Sequence, residues 1–277
     1  MDKNILQRLV RGFLEEDIGR GDMTSESIFT AEEGGTARFV ARDRCLIAGL
    51  EEVVPAVFKA QNAAFSFANG IRDGQHVESG TSLLEVRGPV VDMLKAERVA
   101  LNLLQRLSGI ATLTRQFVDR VREYRVQITD TRKTTPGLRM LEKYAVSVGG
   151  GYNHRFNLAD GILIKDNHIA ACGSISEAVA RVRRRVPHTM RIEVETDTLQ
   201  QVEESIACGV DIIMLDNMDT TMLREAVQRI DGRALVEASG GVSLETVEDI
   251  ARCGVDIISV GALTHSALAC DIGLDWL

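Results

Sequence analysis

The sequence predicts an α/β protein, an incomplete (β/α) barrel preceded by an α+β N-terminal domain. From about residue 111, short apolar runs alternate with amphipathic helical segments and leave little loop between them. The run Cys-Gly-Val-Asp-Ile-Ile also occurs twice, at residues 208–213 and 253–258. Each copy joins the end of a predicted helix to the start of a predicted strand, which indicates repeated β/α units. We therefore expect an N-terminal domain at residues 1–110 and a barrel at residues 111–277, with a doubly wound sheet as the alternative.

Helix and strand signals are mixed in the predicted N-terminal domain. Apolar residues at helical spacing predict an amphipathic N-terminal helix, and they are Leu6, Leu9, Val10, Phe13 and Leu14. Short strands are predicted at residues 37–40 and 46–48, and Asp-Gly and Ser-Gly turn signals predict a hairpin-like stretch at residues 70–84. A second helix is predicted at residues 92–107.

The predicted barrel contains six strands with helices between them. The strands are expected at residues 126–129, 162–164, 192–194, 211–215, 235–238 and 256–260. The helices are expected at residues 138–148, 175–185, 199–208, 221–230 and 244–253. In such barrels the chemistry lies at the C-terminal ends of the strands, so those positions are the candidates for functional residues.

Composition excludes several classes of protein. The chain has 277 residues and 45% hydrophobic but only 4% aromatic residues, which favours an aliphatic core. A net charge of −8 without a dominant basic tract argues against nucleic-acid binding. Five cysteines without a Cys-x-x-Cys pair argue against a disulfide framework or a structural zinc site. With no signal peptide and no membrane-spanning stretch in the sequence, we expect a cytoplasmic protein.

Basic side chains cluster at the predicted strand ends. Arg132 and Lys133 follow the first strand, Arg155 precedes the second, and Lys165 follows the second. Four cations at one barrel mouth would repel one another, so they imply an anionic ligand with carboxylates or phosphates. Salt bridges to neighbouring acids are the structural alternative.

Acidic and glycine-rich segments occupy the remaining strand ends. Glu193 and Glu195 alternate along one strand and therefore point to the same side, and Asp216 ends the next strand. An acid pair on adjacent strands suits a hard cation such as Mg²⁺ that bridges substrate phosphates. The run at residues 239–241 and Gly261 precede predicted helical stretches, and two such turns favour phosphate binding.

Long motifs in this sequence resemble the quinolinate phosphoribosyltransferase family. The longest matching motifs are residues 130–139, 149–155 and 163–168. Further matches are residues 16–22, 96–99, 237–241 and 261–266, so the similarity spans nearly the whole chain in order. Asn157 and Thr196 depart from the residues we expect of the family, but neither is a charged site position.

The resemblance implies transfer of phosphoribosyl from phosphoribosyl pyrophosphate to quinolinate, with decarboxylation, in pyridine-nucleotide biosynthesis. It implies that Arg132, Arg155 and Lys165 bind the quinolinate carboxylates, with His154 and Lys133 lining the site. It further implies a shared-site homodimer or higher homo-oligomer, in which Arg98 reaches the partner's site. The ribose and Mg²⁺ are expected near Glu195 and Asp216, and the catalytic set is Lys133, Lys165, Glu195 and Asp216. The 5′-phosphate is expected at Ser239, Gly240, Gly261 and His265.

Two alternatives remain beside this hypothesis. A paralogous phosphoribosyltransferase that uses nicotinate or another aromatic acid would need fewer carboxylate anchors than the sequence provides. A non-catalytic metabolite-binding barrel would bind ligand without turnover, and the intact acid pair disfavours it.

Overall fold

The computed structural model describes residues 1–68 and 70–277, which form two compact units. The first unit consists of described residues from 1–115, 135–150 and 267–277, and the second of residues 116–134 and 151–266. This division differs from the contiguous boundary near residue 110 that the sequence suggests. The reason is that a helix and the C-terminal strand belong to the first unit although they follow parts of the second in the chain.

The elements of the N-terminal half, in chain order, are α1 (Lys3–Ile18), α2 (Ser25–Ile28), β1 (Gly34–Ala41), β2 (Cys45–Leu46), α3 (Val53–Gln61), β3 (Ser66–Ala68), β4 (His76–Val77), β5 (Ser82–Pro89) and α4 (Val90–Arg120). They are followed by β6 (Gln127–Thr129), α5 (Arg139–Val148), β7 (Ile162–Ile164), α6 (Asp166–Cys172), α7 (Ile175–Arg183), β8 (Ile192–Thr196), α8 (Leu199–Cys208), β9 (Ile212–Asp216), α9 (Thr220–Ile230), β10 (Leu235–Ser239), α10 (Val247–Ala251), β11 (Ile257–Ser259), α11 (Ala262–His265) and β12 (Ile272–Trp276).

The N-terminal helix has the amphipathic form predicted from its apolar spacing. Asp2 caps it, because its carboxylate accepts the backbone N–H groups of Asn4 and Ile5 at 2.9 Å. Leu6, Val10 and Leu14 are the buried residues of the helix. The prediction of this helix is therefore confirmed.

An antiparallel sheet with the strand order β12-β1-β5-β3 forms the centre of the first unit. The C-terminal strand pairs with β1 in register Ala37↔Trp276, a partnership that no local sequence pattern indicates. The predicted hairpin-like stretch at residues 70–84 is confirmed in part. The Ile71 N–H donates to the Leu83 carbonyl at 2.8 Å and β3 pairs antiparallel with β5, but the intervening β4 pairs with β2. Turn signals locate the turn correctly, but the pairing depends on distant strands.

The second unit contains a parallel sheet of six strands in the order β6-β11-β10-β9-β8-β7. Its strands bury Val194, Ile213 and Ile258, as expected of a parallel sheet covered by helices. Thr129 also forms a parallel bridge with Tyr152, which extends the sheet beyond β6. Among the described residues, β6 and β7 are not paired with each other, so the barrel is incomplete. The predicted fold class is confirmed.

Two helix boundaries depart from the sequence prediction by three or more residues. The long helix α4 spans 31 residues, whereas the sequence predicts a helix at residues 92–107 only. Helix α10 begins at Val247, three residues after the predicted start at Leu244, because residues 244–246 form a turn. Across the residues with an assigned structure, none of the helices has the length and apolar character that crossing a bilayer requires.

Candidate active site

A cavity of about 390 Å³ opens at the C-terminal ends of the parallel strands in the second unit. Eight of the predicted site residues line it: Arg132, Lys133, His154, Arg155, Lys165, Glu195, Asp216 and Ser239. The strands explain this convergence, because Lys165 directly follows β7 while Asp216 and Ser239 end β9 and β10. The structure therefore brings together side chains that are more than 100 residues apart in sequence.

The four predicted cations all lie in this cavity. Burial lowers the pKa of Arg155 from its ordinary value, and the neighbouring Arg132 guanidinium lowers it further. Arg155 Nη1 donates to the Gly161 carbonyl at 2.9 Å, which fixes the direction of its guanidinium. Two guanidinium groups that disfavour each other's charge form a site in which a bound anion is stabilising.

One cation of the cavity is paired with a predicted acid. Lys165 Nζ lies 3.0 Å from Glu195 Oε2, so the salt-bridge alternative holds for this pair. Asp216 lies on the adjacent strand and accepts a hydrogen bond from the Asn217 side-chain amide at 2.7 Å. Glu195 and Asp216 are thus hard oxygen donors on neighbouring strands of one cavity, and this donor set fits Mg²⁺.

The glycine turn after β10 packs tightly against the end of β9. Gly240 has φ +90°, and a Cβ there would overlap the Asn217 side chain and lie 2.9 Å from its backbone nitrogen. Only glycine meets both requirements without strain. Asn217 N–H also donates to the Ser239 carbonyl at 2.9 Å, which holds the two strand ends together.

The second predicted phosphate turn surrounds Gly261, which precedes α11. A Cβ at Gly261 would lie 3.1 Å from Lys133 Cδ and 3.2 Å from His265 Nε2. Gly261 and His265, which were grouped from the sequence, are therefore neighbours, and Lys133 lies beside them. The helix expected after the run at residues 239–241 is present as α10, but it starts at Val247 instead of Leu244.

His154 and two buried glutamates form a cluster that separates this cavity from a second one. His154 Nε2 lies 3.2 Å from Glu193 Oε2 and 3.7 Å from Glu237 Oε1. Burial raises the pKa of Glu237 to about 7, and the adjacent Glu193 carboxylate contributes to the rise. The second cavity, of about 290 Å³, shares His154, Arg155 and Glu237 with the first.

Five residues that line the first cavity were not singled out from the sequence: Thr131, Leu163, Met214, Glu237 and Ser259. The two-residue period of a strand could have identified two of them. Met214 shares a face with Asp216 on β9, and Glu237 shares a face with Ser239 on β10. Arg98 lies on α4 in the first unit, and its role toward a partner's site remains a prediction.

Comparison with known proteins identifies relatives along almost the whole chain. The family model described as "Quinolinate phosphoribosyl transferase, N-terminal domain" matches residues 22–108, and the corresponding C-terminal domain matches residues 110–275. A relative named probable nicotinate-nucleotide pyrophosphorylase [carboxylating], from Bacillus subtilis, is 47% identical over 270 residues. That similarity covers 98% of this chain and 93% of the relative.

Two further proteins are similar to this chain over nearly its whole length. The nicotinate-nucleotide pyrophosphorylase [carboxylating] of Mycobacterium leprae is 44% identical over 273 residues, covering 96% of this chain and 95% of that protein. The crystal structure of NadC from Streptococcus pyogenes superposes with a TM-score of 0.95 and 42% sequence identity. The superposition covers 100% of this chain and 99% of the Streptococcus protein.

Proposed function

The chain belongs to the quinolinate phosphoribosyltransferase family, and we propose that it transfers phosphoribosyl from phosphoribosyl pyrophosphate to quinolinate with decarboxylation. The products are nicotinate mononucleotide, pyrophosphate and carbon dioxide. The observation that carries this proposal is one cavity that combines four cations with an acid pair at the ends of parallel strands. The names of the relatives support the same reaction.

Quinolinate, the acceptor of the phosphoribosyl group, binds to the basic part of the cavity. Arg132, Arg155 and Lys165 supply cations for the two carboxylates of quinolinate, and Lys133 and His154 complete the wall. The lowered pKa of Arg155 supports this assignment, because an anion relieves the repulsion between the two guanidinium groups. Lys165 must exchange Glu195 for a substrate carboxylate, and its half-exposed side chain leaves room for that movement.

The phosphoribosyl donor occupies the acidic part of the cavity and the glycine turns beside it, which follow Ser239 and adjoin Lys133. Glu195 and Asp216 lie near the ribose hydroxyls, while Ser239, Gly240, Gly261 and His265 accommodate the 5′-phosphate. The carboxylates of Glu195 and Asp216 would also hold Mg²⁺, either directly or through the substrate. When bound, Mg²⁺ neutralises charge that develops on the departing pyrophosphate.

The residues of the chain act on a transition state in which the ribose ring becomes positive. Carboxylates beside the ring stabilise that charge, and Lys133 stabilises the anionic leaving group. The carboxylate anchors orient the quinolinate nitrogen toward the ribose carbon. The pyridinium nitrogen formed by the transfer stabilises the carbanion left by decarboxylation, and a proton from solvent then takes the place of the lost carboxylate. The reaction therefore needs no organic cofactor.

The proposal includes a homodimer or a higher homo-oligomer in which Arg98 serves the partner's site. It also includes a cytoplasmic location. All five cysteines of the chain are free thiols, which supports a reducing compartment.

Initial rates with quinolinate and with nicotinate as acceptors test the proposed function. We expect turnover with quinolinate alone, and loss of that turnover in Arg132→Ala. Arg181→Ala is the matched control, because Arg181 is exposed and paired with Glu177 on α7. Turnover of nicotinate alone would assign a different acceptor, and binding without turnover would indicate a metabolite-binding barrel. Full activity of Arg132→Ala would contradict the assignment of the cations.

A further inference from the structure

In the cluster of His154, Glu193 and Glu237, the two glutamates are buried and the histidine is half-buried at the cavity wall. Glu193 lies on β8 and Glu237 on β10, and both strands pair with β9 between them. The two glutamates are only 5% and 1% exposed. One oxygen of each, Oε1, accepts no hydrogen bond from any residue that the structure describes. Burying such groups is costly, so the cluster requires a physical explanation.

A metal ion is the first explanation to consider. One ligand atom from each of the three residues lies within 4.8 Å of the others, a spacing that a divalent ion could bridge. However, the backbone N–H of Arg155 donates to His154 Nδ1 at 2.8 Å. A neutral imidazole that accepts at Nδ1 carries its proton on Nε2, which is the atom that faces the glutamates. Metal-binding histidines have the opposite arrangement, with the second ring nitrogen as a donor.

The hydrogen bonds instead form a chain that leads from Glu193 to Arg155. Glu193 Oε2 lies 3.2 Å from His154 Nε2, closer than Glu237 Oε1 at 3.7 Å, and accepts its proton. The other ring nitrogen accepts the Arg155 N–H, so the ring connects β8 to the Arg155 peptide. The His154 peptide is held separately, because its N–H donates to the fully buried Asp130 at 2.9 Å. Ring and backbone are therefore fixed by independent contacts.

We propose that Glu193 is a positioning residue for Arg155, and that it acts through the His154 ring to set the affinity for the anionic acceptor. The Arg155 guanidinium lines the cavity and is held at its far end by the Gly161 carbonyl. The His154 ring holds the Arg155 peptide and the Gly161 carbonyl holds the Arg155 guanidinium, so the Arg155 side chain has little conformational freedom. This inference rests on the proposed function, because it takes the acceptor to be a pyridine dicarboxylate.

Substitutions at Glu193 separate the hydrogen bond from the charge. Glu193→Gln keeps an acceptor oxygen, whereas Glu193→Leu removes it at similar volume. We expect Glu193→Leu to raise the quinolinate Kd about tenfold and Glu193→Gln to change it less than about twofold. The Kd of phosphoribosyl pyrophosphate should remain unchanged in both variants. Glu203→Leu, on the exposed face of α8, is the control for loss of a glutamate.

Titration calorimetry of both substrates, with unfolding temperatures of each variant, provides the measurement. Unchanged quinolinate affinity in Glu193→Leu, or an equal loss of affinity for both substrates, would overturn the positioning role. If the wild-type chain binds no quinolinate, the proposed function fails independently of this inference.

Nitrogen-15 NMR of labelled histidine in the wild-type chain tests the hydrogen-bond chain without any substrate. We expect the His154 resonances of an imidazole protonated at Nε2 and unprotonated at Nδ1. A proton on Nδ1, or a shift of the Nε2 resonance by added Zn²⁺, would overturn the proposed chain of hydrogen bonds. Because this measurement needs no variant, it can overturn the inference even if Glu193→Leu fails to fold.

Discussion

Replacing Gly240 with alanine should disturb the strand end that carries Asp216. Gly240 has φ +90°, and its added Cβ would overlap the Asn217 side chain and approach the Asn217 backbone nitrogen to 2.9 Å. Gly241 is the matched control, because it has φ +61° but no atom within 4 Å of an added Cβ. The two alanine variants therefore share the backbone strain and differ in the steric overlap.

The magnitudes follow from these two contributions. A non-glycine residue with left-handed backbone costs about 1–2 kcal/mol, and overpacking costs about 1–3 kcal/mol more. We expect Gly241→Ala to lose about 1 kcal/mol and Gly240→Ala about 3 kcal/mol of unfolding free energy. At about 2–4 °C per kcal/mol, Tm should fall by about 2–4 °C and about 6–12 °C respectively.

Activity should distinguish the two variants even more clearly than stability. Movement of Asn217 breaks its 2.7 Å hydrogen bond to Asp216, so Gly240→Ala should lose about tenfold in kcat/KM. Gly241→Ala should retain activity near that of the wild type. Thermal unfolding and steady-state rates measure both effects. Equal stability and activity of the two variants would refute the argument that close packing of Gly240 positions Asp216.

Three further predictions follow from the cavity. Because the folded pKa of Glu237 is about 7 and its ordinary value is 4.5, stability should fall as pH rises between these values, by at most about 3 kcal/mol. The urea concentration at the unfolding midpoint should fall over this pH range in the wild type and not in Glu237→Gln. An equal pH dependence of the midpoint in both proteins would contradict this prediction. Mixing inactive Arg98→Ala and Arg132→Ala chains should restore activity to about a quarter of the wild-type rate if sites are shared between random dimers. No restoration after subunit exchange would count against a shared site. Chelation of Mg²⁺ should abolish turnover, and Glu195→Gln or Asp216→Asn should each raise the Mg²⁺ concentration for half-maximal rate by about tenfold. An unchanged Mg²⁺ requirement in both variants would argue against this pair as the Mg²⁺ site.

The strands of the barrel and the residues at their ends were accessible from the sequence alone. Apolar runs define the strands, and parallel strands place all of their C-terminal ends at one edge. Lys165, Asp216 and Ser239 could therefore be assigned to one cavity without coordinates, and the cavity contains all three. The assignment succeeded because it depends on strand polarity rather than on the details of packing.

Contacts between distant segments could not be predicted in the same way. The partner of the C-terminal strand is β1, and the two are separated by more than 200 residues. The contacts of His154 likewise depend on Glu193, which is distant in sequence on β8, and on the Arg155 N–H next to it. A local pattern identifies the type of element, but it does not identify the partner, since many strands share the same period.

Product stoichiometry tests the central claim most directly. The chain is incubated with quinolinate labelled in its C2 carboxylate, phosphoribosyl pyrophosphate and Mg²⁺, and nicotinate mononucleotide, pyrophosphate and labelled carbon dioxide are quantified together. We predict equal amounts of all three products, and no carbon dioxide when phosphoribosyl pyrophosphate is omitted. Release of carbon dioxide without the phosphoribosyl donor, or formation of the mononucleotide without carbon dioxide, would contradict the proposed reaction.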